Sequence, residues 1–263
     1  MRRFLTDTFI RASSLAGLYP TRITPREDIK ALMANLRPRR MDPEMIRLGP
    51  PADGGYLVPD DLTGIAACFS PGVALLSGFE RDCANLGMKV FMADRSVDGP
   101  AEPHELFQFT RKFVGATTSD SVMTIDDWVK DALPDSDDDL LLQVDIEGAE
   151  YESFLSTSDA TMNRFRIIVS EFHNLDKLFN RPFFGLARTT FLKLLQTHYC
   201  VHIHPNNYLG TVRVGDLEIP KLAEFTFLRK DRTHDQGFVQ TFPHHLDCDN
   251  TNNPHLPLPP CWY

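Results

Sequence analysis

The run Leu140-Leu141-Leu142-Gln143-Val144 follows a polar stretch from Pro134 to Asp139 and stops abruptly at Asp145-Ile146-Glu147-Gly148-Ala149-Glu150-Tyr151. A short apolar segment without alternation suits a strand covered on both faces, as in a parallel sheet. Gly148 lets the backbone turn, and Ala149 to Tyr151 start a helix. Asp145 and Glu147 then fall at the carboxyl end of the strand, where open α/β sheets hold their ligands. The competing reading is an acidic turn whose carboxylates favour the amino end of the following helix.

The same alternation runs through the chain. Strands are expected at Ile65–Phe69, Met88–Ala93, Leu106–Val114, Phe165–Ser170, Cys200–Ile203 and Phe225–Leu228, the last two joined by a long loop. Helices are expected from Glu80 to a glycine cap at Gly87, from Thr124, from Tyr151 to Leu155 and over Thr189–Gln196. Thr24-Pro25-Arg26-Glu27 reads as a helix start with Thr24 as cap. Strands alternating with helices imply βαβ units, hence an α/β fold with a mostly parallel sheet. From Phe242 onward, Pro243, Pro254, Pro257, Pro259 and Pro260 exclude a compact helix or strand and leave an extended strap or disorder.

A chain of 263 residues can bury one substantial core. No transmembrane segment is expected, and Thr6, Asp7 and Thr8 interrupt what would be the apolar core of a signal peptide. The five cysteines show no CxxC pair or zinc spacing and suit reduced thiols in a cytoplasm. Net charge is −9, yet Arg2, Arg3, Arg11, Arg22, Arg26, Lys30, Arg37, Arg39 and Arg40 make the beginning basic. Without interleaved aromatics this arm is not expected to bind nucleic acid; a solvated face or a homo-oligomer contact is the expectation.

Phe69-Ser70-Pro71-Gly72-Val73 lies between a strand and a helix, where a doubly wound fold brings backbone to a ligand. Its single glycine departs from GxGxxG, which weakens the alternative of an NAD-type oxidoreductase. Asp94, followed by Arg95, closes the next strand, where a carboxylate can accept hydrogen bonds from ribose hydroxyls.

The glycine turn, the acidic strand end, Met123-Thr124-Ile125-Asp126-Asp127-Trp128, Val144-Asp145-Ile146-Glu147-Gly148-Ala149-Glu150 and Ser170-Glu171-Phe172-His173, in that order over roughly residues 50–230, resemble the FkbM family of S-adenosylmethionine-dependent O-methyltransferases. The resemblance implies a Rossmann-like class I sheet of seven strands, the last one antiparallel, with helices on both faces. It further implies cofactor contacts at Ser70, Gly72 and Glu80 near the methionine part, Asp94 at the ribose and Asp126 toward the adenine; Arg95 and Asp145 are also expected to contact the cofactor. The acidic residue that usually opens the first glycine motif is replaced by Phe69-Ser70, and Glu80 is expected to supply that charge. The expected organisation is a basic helical arm over 1–45, a methyltransferase domain over 46–242 and a proline-rich tail over 243–263. A non-catalytic binding protein on the same fold is the remaining alternative.

An antiparallel last strand begins at the edge where its parallel neighbours end. Asp145, Glu147, Glu171, His173, His202, His204, Asn206, Asn207 and Glu224 are therefore expected on one rim, as an acceptor site for a hydroxyl of a sugar, glycan or glycosylated metabolite. A hydroxyl needs a base or a metal to lose its proton. His173 and His204 are the expected bases, with Asp145 and Glu171 beside them, because imidazole titrates near neutrality. Asp145, Glu171 and His173 are alternatively the ligands of a divalent ion such as Mg²⁺. Glu147, Asn206, Asn207 and Glu224 are expected to bind the acceptor.

Overall fold

A computed structural model describes residues 2–73 and 76–263; Met1, Ala74 and Leu75, and the side chains of residues 2–8 with Arg2 and Arg3 of the basic arm, lie outside the described part. The elements are α1 (Arg2–Leu15), α2 (Arg26–Leu36), β1 (Met45–Leu48), β2 (Tyr56–Pro59), β3 (Ala67–Pro71), α3 (Gly78–Asn85), β4 (Lys89–Ala93), β5 (Phe107–Thr110), β6 (Phe113–Val114), β7 (Val122–Met123), α4 (Ile125–Ala132), β8 (Leu140–Val144), α5 (Glu150–Ser156), α6 (Asp159–Arg164), β9 (Phe165–Phe172), α7 (Arg181–Thr197), β10 (His198–Pro205), β11 (Thr211–Val214), β12 (Leu217–Pro220) and β13 (Ala223–Arg229).

Seven strands form one sheet in the order β10-β13-β9-β8-β3-β4-β5. The neighbours from β9 to β5 are parallel, and β13 runs antiparallel to both β9 and β10. From β3 the chain first winds outward to β4 and β5, then returns to build β8 and β9 on the other side. This is the Rossmann-like sheet expected from the sequence, and its crevice opens at the carboxyl ends of β3 and β8.

Every residue of β3, β8 and β9 is buried, which is why these segments read as unbroken apolar runs. With a period of two, Phe69, Leu142, Ile168 and Phe227 face one layer, with Phe154 and Phe191, while Cys68, Leu141, Val169 and Leu228 face the other, with Tyr56 and Phe79. Toward the carboxyl ends of the parallel strands, the second face changes from apolar to polar. Ser70 follows Cys68, Gln143 follows Leu141 and Glu171 follows Val169, while on antiparallel β13 the order is reversed and Glu224 precedes Thr226 and Leu228.

Several local expectations are corrected. Thr24 does not cap α2: its backbone N–H donates to Phe179 O at 2.8 Å, holding it in extended chain, and its hydroxyl has no partner among the described residues. The strand expected over Leu106–Val114 is divided into β5, which extends the main sheet, and β6, which pairs with β7. The loop between β10 and β13 contains the hairpin β11–β12. The helix expected over Thr189–Gln196 begins earlier, at Arg181, after Asn180 accepts a capping bond from Phe183 N.

The end of the chain is a packed strap. Trp262 is fully buried, its ring edge-on to Phe225, and its Nε1 donates to Glu218 O at 3.1 Å. Prolines exclude a longer helix or strand here, leaving one 3₁₀ turn over Pro260–Trp262, but they do not exclude burial. No described helix is long and apolar enough to cross a membrane.

Candidate active site

Gly72 and Asp145 bring the ends of β3 and β8 into contact. Gly72 has φ +93°, and a Cβ there would lie 1.6 Å from Asp145 O. Gly72 N donates to Ala93 O at 3.1 Å and Asp145 N to Pro71 O at 3.4 Å, so three strand ends are tied together. The glycine is required by this approach of two backbones. Beside it opens a cavity of about 700 Å³, lined by Gly72, Val73, Asp94, Phe113, Asp145, Ile146 and Glu147 among others. Its walls are mostly apolar with few acidic groups, the composition of a small-molecule or cofactor site. Asp94 accepts from Ser96 N and Ser96 Oγ, each at 2.6 Å, through Oδ1 alone, which orients the carboxylate.

A second cavity of about 320 Å³ lies across Asp145 and Glu147, which line both. Its other walls include Asp53, Glu171, His173, Asn206, Tyr208 and Thr251. Between the cavities the backbone is tightly wound: Glu147 has φ 56° and Asn174 φ 60°. A Cβ on Gly148 would meet Asn174 Nδ2 at 2.9 Å. Left-handed residues other than glycine persist only where surrounding contacts hold them, and they gather at functional sites.

Glu150 organises this turn. Its side chain is fully buried, and Oε1 accepts from Gly148 N at 2.9 Å and Ile146 N at 3.3 Å and lies 2.9 Å from His173 Nδ1. Tyr151 Oη donates to His173 O at 2.7 Å and fixes the histidine backbone as well. His173 Nε2 is thereby turned toward the shared wall, 3.4 Å from Glu147 Oε2 and 3.9 Å from Asp145 Oδ1. An imidazole held through one nitrogen by a carboxylate presents the other in a defined orientation.

Burial pushes the Asp145 carboxyl up to about 7; His173 opposes the shift, while Glu147, Glu150 and Asp53 add to it. For His173, burial favours the neutral ring, but the bond to Glu150 and the charges of Glu150, Asp145 and Glu147 outweigh it and raise the pKa. Burial, with Asp145, Glu224 and Asp53 nearby, holds Glu171 well above the usual carboxylate range. In strand register Glu171 faces Glu224, which faces His204. Two buried carboxyls and an imidazole therefore form a row leading away from Asp145.

The cavities do not take in every residue expected at the site. Gly72, Asp94, Asp145 and Glu147 line the first, and Asp145, Glu147, Glu171, His173 and Asn206 the second. Ser70 Oγ instead donates into a buried network, 2.6 Å from Glu80 Oε1 and 2.8 Å from Gln143 Oε1, and neither Ser70 nor Glu80 is among the described lining residues of the first cavity. Arg95 is exposed beside that cavity, and Asp126 accepts from Ser158 N and Oγ at the start of α6. His204 lies farther along the row, its Nδ1 3.6 Å from Asp247 Oδ1, an oxygen that also takes His202 Nε2 at 2.8 Å. Asn250 donates to Glu224 Oε1 at 2.7 Å, and Asn207 to Thr251 O at 3.1 Å, so these expected acceptor residues hold the strap.

Glu150, Tyr208, Asp247, Asn250 and Thr251 were not among the expected site residues. Glu150 carried a signal in the Asp145–Glu150 motif. The strap residues carried none, because a proline-rich segment has no period from which a docking site can be read.

A mostly parallel sheet with adjoining cavities at its switch point is the Rossmann-like architecture. Residues 76–199 match the family model for the methyltransferase FkbM domain. No curated protein matches the sequence. The matched span carries Asp94, Asp145, Glu147, Glu150, Glu171 and His173, whereas Asp53, Asn206, Tyr208 and Thr251 of the second cavity lie outside it.

Proposed function

We propose that the protein is an S-adenosylmethionine-dependent O-methyltransferase acting on a hydroxyl of a sugar, glycan or glycosylated metabolite in the cytoplasm. The observation that carries this reading is the pair of cavities with Asp145 and Glu147 as their common wall. The larger suits the nucleoside cofactor, with Asp94 toward the ribose, and the smaller suits the acceptor. The cofactor supplies a sulfonium methyl group, which passes to the acceptor oxygen as the carbon–sulfur bond breaks.

The chain's residues supply position and a place for the proton. Bringing the hydroxyl to roughly 3–3.5 Å from the methyl carbon provides much of the rate. Asp145, at the shared wall, has a carboxyl raised to about 7 and thus a basicity suited to removing a proton near neutrality. His173 Nε2, held by Glu150 through Nδ1, is the adjacent group able to receive that proton. His204, raised to about 9 and facing Asp247 and Glu224, is assigned to anchoring the strap.

Asp145, Glu147 and His173 also place donor atoms within 4.8 Å of one another. Two carboxylates and an imidazole oriented through its second nitrogen make a set that fits a divalent ion. This second reading has Glu147 where the sequence suggested Glu171. EDTA treatment followed by Mg²⁺ add-back tests it: loss and recovery of turnover support a metal, and indifference to both removes it.

The principal reading is tested with S-adenosylhomocysteine. Saturation to about 100 times Kd should raise folding stability by about 2.7 kcal/mol, read as a higher Tm. No thermal response to S-adenosylhomocysteine, with a clear response to NAD, would overturn it in favour of the oxidoreductase reading.

A further inference from the structure

The second cavity is acidic beyond what removing one proton requires. Asp53, Asp145, Glu147 and Glu171 line it with His173, and its described lining contains no lysine or arginine. Arg47, from β1, is engaged elsewhere: Nε donates to Pro50 O at 2.8 Å, and Nη2 to Ala52 O and Gly55 O at 3.0 Å each, which fixes the loop carrying Asp53. A phosphate, sulfate or carboxylate on the acceptor would meet four acidic side chains at close range, with His173 the one group in the described lining able to carry positive charge.

We infer that the acceptor carries a protonated amine near the hydroxyl that is methylated, and that Asp53 and Glu171 bind this ammonium group. The inference rests on the methyltransferase reading above and names the chemical class its acceptor belongs to. Asp145 and Glu147 form the wall shared with the larger cavity, while Asp53 and Glu171 are the remaining acidic groups of the smaller one.

Glu171 is the second, independent observation. It is only 4% exposed yet lines the cavity, and Asn206 Nδ2 donates to its Oε1 at 2.9 Å. Its other oxygen has no donor among the described residues. An ammonium group at that oxygen would donate a charge-assisted hydrogen bond to it. Asn250 ties Asp53 to the buried row behind the cavity, donating to Glu224 Oε1 at 2.7 Å and to Asp53 Oδ1 at 3.3 Å. At the rim, Tyr208 is largely exposed and offers an aromatic face of the kind cations favour. Asp53, Asn206 and Tyr208 all lie outside the family-matched span, where residues specific to this chain's acceptor are free to differ.

The test is equilibrium dialysis of the full chain, saturated with S-adenosylhomocysteine, against a panel of amino sugars, aminoglycosides and amino alcohols. Each is paired with its N-acetylated form, and sugar phosphates are included. Free-amine members should be retained at least ten-fold better than their N-acetylated partners. Asp53→Asn and Glu171→Gln should each reduce that ratio toward one while S-adenosylhomocysteine still binds. The inference is overturned if neutral or phosphorylated members bind equally or better, if both variants keep the ratio, or if no member is retained by protein that binds S-adenosylhomocysteine. Failure to bind S-adenosylhomocysteine at all would instead strike the methyltransferase reading.

Discussion

Glu150 Oε1 lies 2.9 Å from His173 Nδ1, and the carboxylate that orients the imidazole is itself buried and held by two backbone N–H groups of the turn carrying Asp145. One side chain thus sets both the shape of the turn and the direction of the histidine. Glu150→Gln should lower kcat roughly 10- to 100-fold with little change in the affinity for S-adenosylhomocysteine, by analogy with residues that orient a functional histidine from behind. Because Glu150 raises the His173 pKa, its loss should move the acidic limb of the rate profile to lower pH. A pH–kcat profile of the variant checks both; an unchanged acidic limb would remove His173 from proton transfer.

Asp145 should show a conflict between activity and stability. Its carboxyl titrates at about 7 in the fold against an ordinary 3.8, so the folded protein binds the extra proton and loses stability as pH rises between these values. Asp145→Asn should therefore raise stability at pH 8 by up to about 4 kcal/mol, with the difference vanishing near pH 3.5. The same variant should lose most methyl transfer. Urea denaturation at the two pH values, beside a turnover assay, separates the effects.

Asp247 pins the C-terminal strap to the sheet. His202 and His204 hold its carboxyl far below the usual range against the pull of burial, and Asp247 with Glu224 raises His204 to about 9 although burial opposes this. The Asp247 contribution is present above its ordinary 3.8 and is lost as pH falls. The His204 contribution is complete below about 6.5 and is lost as pH rises through about 9. Asp247→Ala should cost about 3 kcal/mol and expose the strap to proteolysis near residues 244–254. Thermal melts and limited proteolysis at pH 7 are the measurements.

Gly72→Ala should be among the most damaging single substitutions. Its methyl group would overlap Asp145 O, and the φ of +93° is unfavourable for any L side chain. A loss of at least about 3 kcal/mol is expected, together with loss of stabilisation by S-adenosylhomocysteine. Gly54→Ala is the comparison: that glycine also has positive φ, but a Cβ there meets no atom within 4 Å, so its cost should be smaller.

The parallel core was legible because strands buried on both faces must be apolar along their whole length, as in Leu140–Val144 and Phe165–Ser170. The acidic strand ends were legible too, since a polar residue closing such a run stands at the edge of the sheet. Thr24 misled because its capping pattern is local, whereas the pairing of the preceding chain with Asn180 is a long-range contact. His202, His204 and Glu224, expected on the rim, lie on β10 and β13 outside the described lining of both cavities, and what they face could not be read along the chain: Asp247 and Asn250 reach them from a segment with no periodicity.

By itself the sequence determined the buried strands of the main sheet, the carboxyl-end position of Asp94, Asp145 and Glu171, and the likeness of its middle part to the FkbM domain, all consequences of local pattern and motif. Only the tertiary structure decided that Asp145 and Glu147 divide two cavities, that Glu150 stands behind His173, and that the final strap joins the row from Glu171 to His204. These are distances between segments far apart in the chain, set by packing the sheet faces and by pairing buried polar groups, and no local periodicity encodes them.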